Sequence, residues 1–145
     1  MGQRNILNMG KYFTIHEMCR SLKAQELGIV NVPNKAQQDS IENFIKVILD
    51  PIREAWGKPI TVSSGFRNKA VNKAVGGVSN SHHLFENGYC AADITVGSNH
   101  DNERLYGLIR KLDLPVCQCI DEYGYSWIHV SYHPTDIRRH YFKQT

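Results

Sequence analysis

Between Lys35 and Trp56 the apolar residues fall at Ile41, Phe44, Ile45, Ile48, Leu49, Ile52 and Trp56, the three-and-four spacing that lines one face of a helix. This stripe predicts the main core helix, with Pro51 expected to kink it near its last turn. Ahead of it, Thr14 followed by Glu17 is a capping-box pattern, so a short helix is expected over residues 15–22, after a polar lead at residues 1–11 that reads as flexible. Gly28 and Pro33 mark the loop between the two helices. Gly57-Lys58-Pro59 ends the long helix, and Ile60-Thr61-Val62-Ser63-Ser64, rich in β-branched residues, reads as a strand. A short helix over residues 68–75, a Gly-rich loop over 76–81, a His-rich loop and a strand over 91–96 follow. Asn99 or Asp101 then caps a helix through Leu105, Leu108, Ile109 and Leu112, which Pro115 closes. Strands over 116–121 and 127–132 are joined as a hairpin around Tyr123-Gly124-Tyr125, and a last strand is expected over 138–142. Helices first, then strands with helical interruptions, make the fold class α+β.

Length and composition narrow the classes. A chain of 145 residues, 41% hydrophobic and 21% charged, suits a single domain over residues 1–145. A net charge of +3 is too small for a disordered tail, and no run approaches the length of a membrane span. Residues 1–6 carry no apolar run of the secretory type, and Ile6 stands where a myristoylation motif needs Ser or Thr, so synthesis in the cytoplasm is expected. The 17 Lys and Arg are dispersed among 14 acids, without the dense run that tracks a phosphate backbone, so nucleic acid is not an expected partner. Cys19, Cys90, Cys117 and Cys119 include no Cys-x-x-Cys pair and read as reduced, half-buried thiols.

Of seven histidines, His16, His100 and His140 lie in polar surroundings and read as surface residues. His82, His83, Asp93 and His129 differ, because strand ends and Gly-rich loops place side chains in clefts. Two histidines with one carboxylate are a ligand set for catalytic zinc, which keeps a fourth position for water. Alternation along Trp127-Ile128-His129-Val130-Ser131 sets His129 on the face opposite Ile128 and Val130. Asp93, between two alanines and Ile94-Thr95-Val96, needs a partner to offset its desolvation: a metal cation, or an Arg or Lys.

Five blocks in order then resemble one family: Ser64-Gly65-Phe66-Arg67-Asn68, Val71-Asn72 with Val75-Gly76-Gly77, Asn80-Ser81-His82-His83-Leu84, Ala91-Ala92-Asp93-Ile94 and Trp127-Ile128-His129-Val130-Ser131. From about Tyr12 to the C-terminus the chain resembles the zinc D-alanyl-D-alanine carboxypeptidases. These share the Hedgehog/DD-peptidase fold with vancomycin-resistance D,D-dipeptidases and phage L-alanyl-D-glutamate endolysins. The resemblance implies a small, mainly antiparallel sheet packed against N-terminal helices. It implies one Zn2+ held by His83, Asp93 and His129, with Arg67 anchoring a substrate carboxylate or carbonyl and Ser81 adding a hydrogen bond there. A guanidinium suits that task because its planar fork pairs bidentately with a carboxylate.

The chain departs from the family pattern twice. Ten residues separate His83 from Asp93, where the family usually has seven, so the loop from Leu84 to Cys90 must bulge. That brings Glu86 and His82 towards the site and leaves open a register with His82 as the ligand. A longer loop costs little, since closure entropy grows slowly with length. Ser126 occupies the position, three before the second histidine, where many members carry an acid. The subgroup with Trp-Ile/Val-His-Val-Ser has an acid on the preceding hairpin strand instead, which by order is Glu122. Asp121 and His133 are the reserves for general base, although His133 lies roughly 13 Å along an extended strand from His129 and is no co-ligand. Ser131 and Ser63 are candidate donors to the zinc ligands.

The implied activity is hydrolysis of peptidoglycan stem peptides or D-Ala-D-Ala-containing precursors, carboxypeptidase-like, by a monomer. A phage or prophage endolysin released by lysis machinery and a cytoplasmic dipeptidase both fit the expected absence of a signal peptide. A catalytically weak metal-binding relative, serving as a cell-wall-binding or virion-associated module, is the alternative that Ser126 and the enlarged loop motivate. A metal-free binding domain with a coincidental histidine cluster is the third.

Overall fold

The computed structural model describes residues 10–145; most of the polar lead lies outside the described residues. Six helices, α1 (Ile15–Cys19), α2 (Leu22–Leu27), α3 (Lys35–Phe44), α4 (Asp50–Trp56), α5 (Lys69–Ala74) and α6 (Asn99–Leu112), accompany five strands. These are β1 (Thr61–Ser64), β2 (Cys90–Thr95), β3 (Gln118–Glu122), β4 (Trp127–Tyr132) and β5 (His140–Gln144). They form one sheet in the order β1-β2-β4-β3-β5, antiparallel except for β5 against β3. The α+β expectation and the mainly antiparallel sheet are met.

Local chemistry explains the elements and the departures from the reading. Thr14 caps α1 with the full capping box, its Oγ1 accepting from Glu17 N–H at 3.0 Å. The helix stops at Cys19 because Ser21 starts a second one, its hydroxyl accepting from Ala24 N–H; the expected single helix over 15–22 is therefore two. Ser98, rather than Asn99 or Asp101, caps α6. The core helix continues through Pro51 into α4. Pro51 has no N–H, and the turn before it widens into a π-helical segment, Ile45–Leu49, in which Asp50 N–H reaches the Ile45 carbonyl. The last strand runs over His140–Gln144, two residues later than expected.

The sheet has two unlike faces. Ile128 and Val130 of β4, Ala92 and Ile94 of β2 and Val62 of β1 are buried against Ile41, Phe44, Ile48 and Ile52 of the core helix and against Leu105 and Ile109 of α6. The alternate residues of β2, β3 and β4 point the other way. Asp93 pairs with His129, His129 with Ile120, and Trp127 with Glu122. Strand pairing places partners on a common side, so Asp93, His129, Trp127 and Glu122 share the face opposite the core. A bulge between Val62 and Ser64 brings Ser64 into register with Asp93.

Candidate active site

Asp93 is 8% exposed and lies at the centre of the polar face. His129 Nδ1 lies 3.0 Å from its Oδ1, and His83 Nε2 lies 3.3 Å from the same oxygen. The three ligand-type atoms fall within 4.8 Å of one another. His129 and Asp93 come from adjacent strands in register, whereas His83 comes from a single 3-10 turn, His82–Leu84, between α5 and β2. Three bonds fix His83 in that turn. Ser81 Oγ accepts from His83 N–H at 3.1 Å, the His83 carbonyl accepts from Arg67 N–H at 2.8 Å, and His83 Nδ1 donates to the Gly65 carbonyl at 2.7 Å. Gly65 must be glycine, because a Cβ there would strike the Met18 carbonyl, to which Phe66 N–H donates at 2.7 Å.

The tautomer is informative. A carbonyl only accepts, so Nδ1 of His83 carries a proton and a neutral ring presents the bare lone pair of Nε2 to the Asp93 carboxylate. Two buried acceptors at 3.3 Å require a proton or a cation between them. Burial pushes the Asp93 carboxyl up, but the two facing imidazoles outweigh it and hold the group well below the usual carboxylate range. The donor set fits a metal: two imidazoles and one carboxylate, buried and convergent, are compatible with one zinc ion.

Arg67 flanks this group. Its Nη2 stands 3.7 Å from Asp93 Oδ2, its Nε donates to Ser64 Oγ at 3.0 Å and its Nη1 to Asn72 Oδ1 at 3.3 Å. Asn72, buried at the centre of this arrangement, was not singled out for a role by the sequence reading; its place in the Val71-Asn72 block was the available signal. Glu122 lies on the same face, half-buried. Desolvation and the Asp93 charge raise its carboxyl above the ordinary value, against the charges of His129 and Arg67.

The other candidates go elsewhere. Asp121 pairs with Ile128 on the core side and accepts from Tyr125 N–H at 2.6 Å, closing the hairpin, so it does not reach the polar face as a reserve base. His133 is committed to structure: its Nδ1 accepts from Thr135 and Asp136 N–H, and its Nε2 donates to the Asn87 carbonyl. Ser126 bonds the Tyr123 carbonyl in the hairpin turn. Ser63 donates to the backbone carbonyl of Asp93, while Ser131 accepts from Gln118 N–H.

The enlarged loop does bulge, with Phe85 and Asn87 in the left-handed region, yet it is not a loose surface excursion. Phe85 packs edge-on against Phe44 and Phe66 in the core. Tyr89 lies between the rings of His82 and His133, at 4.3 and 4.4 Å, and donates to Asp136 Oδ2, which Arg138 holds from the other side. Stacking on Tyr89 keeps His82 out of the three-residue group, and burial pushes its ring down to about 4. Glu86 faces Lys69 at 3.9 Å.

A helix-backed sheet that presents a convergent His–Asp–His group on the face opposite its core has the donor set of a metal-dependent hydrolase. Residues 11–131 match the family model described as Peptidase M15, and the chain belongs to that family, as the resemblance read from the sequence implied. The match ends at Ser131, so β5 lies beyond it. Zinc D-Ala-D-Ala carboxypeptidase of Streptomyces albus G is 49% identical over 51 residues, 34% of this chain and 19% of that protein. The chain therefore aligns with about a fifth of that relative's length. No helix among the described residues is long and apolar enough to cross a membrane.

Proposed function

We propose that the chain is a zinc peptidase acting on peptidoglycan stem peptides, with carboxypeptidase-like cleavage at a terminal D-Ala-D-Ala bond. The observation that carries this reading is the convergence of His83, Asp93 and His129 within 4.8 Å, with the Arg67 guanidinium 3.7 Å from Asp93. His83, Asp93 and His129 hold the metal. When bound, zinc supplies Lewis acidity that polarises a carbonyl and makes water a better nucleophile near neutral pH.

The remaining work belongs to the side chains. Arg67 pairs with the terminal carboxylate or adjoining carbonyl of the peptide, already oriented by Ser64 and Asn72, so little freedom is lost on binding. Ser81 uses its oxygen to accept from His83 N–H and keeps its own proton to donate to the substrate. Glu122, its carboxyl raised by burial, takes a proton from the attacking water and delivers it to the departing amine. The 49% identical segment of a D-Ala-D-Ala carboxypeptidase supports the substrate class. Action as a monomer, and release to the wall as a phage or prophage endolysin, belong to the same proposal.

Ser126 in place of an acid favours the second reading, a metal-binding wall module with weak catalysis. Mass spectrometry of muropeptides incubated with the protein, with zinc or with chelator, separates the two. Zinc-dependent loss of terminal alanine is expected. A cut between L-Ala and D-Glu would replace carboxypeptidase by endopeptidase, and a zinc-loaded protein without product would leave the binding module.

A further inference from the structure

Helix α5 carries Lys69, Asn72, Lys73 and, just beyond its end, Gly76, at intervals of three and four that place them on one side. With Gly77, Ser79 and Leu84 they line a cavity of about 500 Å3. Its charge is one-sided. Lys69 Nζ has Glu86 at 3.9 Å, too long for a hydrogen bond, and Lys73 forms no ion pair among the described residues. Two ammonium groups four residues apart on a helix repel one another, an arrangement that an entering anion relieves.

The cavity shares a wall with the candidate active site. Asn72 lines it, yet the same side chain accepts from Arg67 Nη1 at 3.3 Å and donates to the Val78 carbonyl at 2.8 Å. Gly77 lies so close to the Asn72 amide that a side chain there would overlap it, which fixes this wall. Leu84, on the other side, directly follows His83 in the turn that presents it. A peptide whose reacting end lies at Arg67 and Asp93 thus has a preformed basic hollow beside it, with Leu84 as an apolar contact and the Ser79 hydroxyl as a further donor.

We infer that this cavity is a second carboxylate subsite, and that the preferred substrates are acidic peptides carrying a carboxylate within a residue or two of the bond cut, in addition to the group held by Arg67. The inference rests on the peptidase reading and deepens it. Lys69 and Lys73 supply the charge, and Glu86 is the internal competitor that an incoming carboxylate displaces.

The test uses zinc-loaded Glu122→Gln protein and calorimetric titration with two peptides ending in D-Ala-D-Ala, which differ only in Glu against Gln at the residue before that pair. The acidic peptide is expected to bind about fivefold more tightly, the scale of one or two partly screened ion pairs, and the Lys69→Ala/Lys73→Ala double variant should bind the two alike. Both lysines are exposed, so the double variant should show the parent's circular dichroism and melting temperature. Equal affinities in the parent, or an unchanged preference in the double variant, would overturn the subsite and leave the peptidase reading standing. Binding of neither peptide would overturn the D-Ala-D-Ala substrate class and this inference with it.

Discussion

His129 and His83 reach the same carboxylate oxygen by opposite routes. His129 is placed by register: β4 alternates, Ile128 and Val130 are fully buried in the core, and the residue between them must face outward, opposite Asp93 on β2. His83 is placed by long-range bonds that tie one short turn to Arg67 and Gly65, and by the local cap from Ser81, with Phe85 anchoring the chain that follows. The first imidazole inherits the rigidity of a five-stranded sheet. The second depends on a few hydrogen bonds, of which the one to the Ser81 hydroxyl can be removed by a single substitution.

The largest effect should come from removing either ligand. His129→Ala and His83→Ala should each lose the zinc retained after dialysis, from about one ion per chain to almost none, since three protein ligands are the minimum of a catalytic site; elemental analysis reads it. If His82→Ala loses zinc while His83→Ala keeps it, the ligand turn has been misassigned. Next, Glu122→Gln should keep zinc and lower kcat by about 10²- to 10⁴-fold, the usual contribution of a general base, measured by release of D-alanine. Ile128→Ala tests the register side: a large-to-small change at a fully buried site should cost about 2–5 kcal/mol in urea unfolding. Ser81→Ala tests the bonded side. It removes one cap of the turn and should cost about 1 kcal/mol, with weaker zinc retention than an equally destabilising core variant.

The smallest effect concerns the enlarged loop. Hydrogen bonds from Arg138 and then Tyr89 hold the Asp136 carboxyl below its usual range. A group whose folded value is depressed stabilises the fold above its unfolded value, about 4, and loses that contribution as pH falls. Asp136→Asn should therefore flatten part of the drop in Tm as pH falls below about 4, while leaving the zinc content unchanged.

Periodicity carried most of what was legible. The helical stripe from Ile41 to Trp56, the alternation around His129 and the capping box at Thr14 are local patterns, and each marks an element that starts where expected, although the first helix is shorter and the core helix carries a π-helical segment. The split of the first helix was missed because Ser21 as a second cap competes with continuation of the helix only once Ala24 is packed. The π-helical turn before Pro51 was missed because the missing N–H at a proline can be absorbed by widening as well as by kinking. At the site, residue types and order pointed to His82, His83, Asp93 and His129, and the family resemblance added the choice of His83, Arg67 and Glu122, but neither pointed to the partners that orient them. The Gly65 carbonyl is a backbone group, Asn72 acts through tertiary contact, and Tyr89 meets Asp136 across 47 residues; none of these leaves a periodic trace.

Anomalous diffraction at the zinc edge from crystals grown with zinc tests the central claim most directly. The account predicts one peak per chain among His83, Asp93 and His129, with ligand distances of about 2.0–2.2 Å. A peak at His82 and His133, or none in a zinc-saturated crystal, would contradict it.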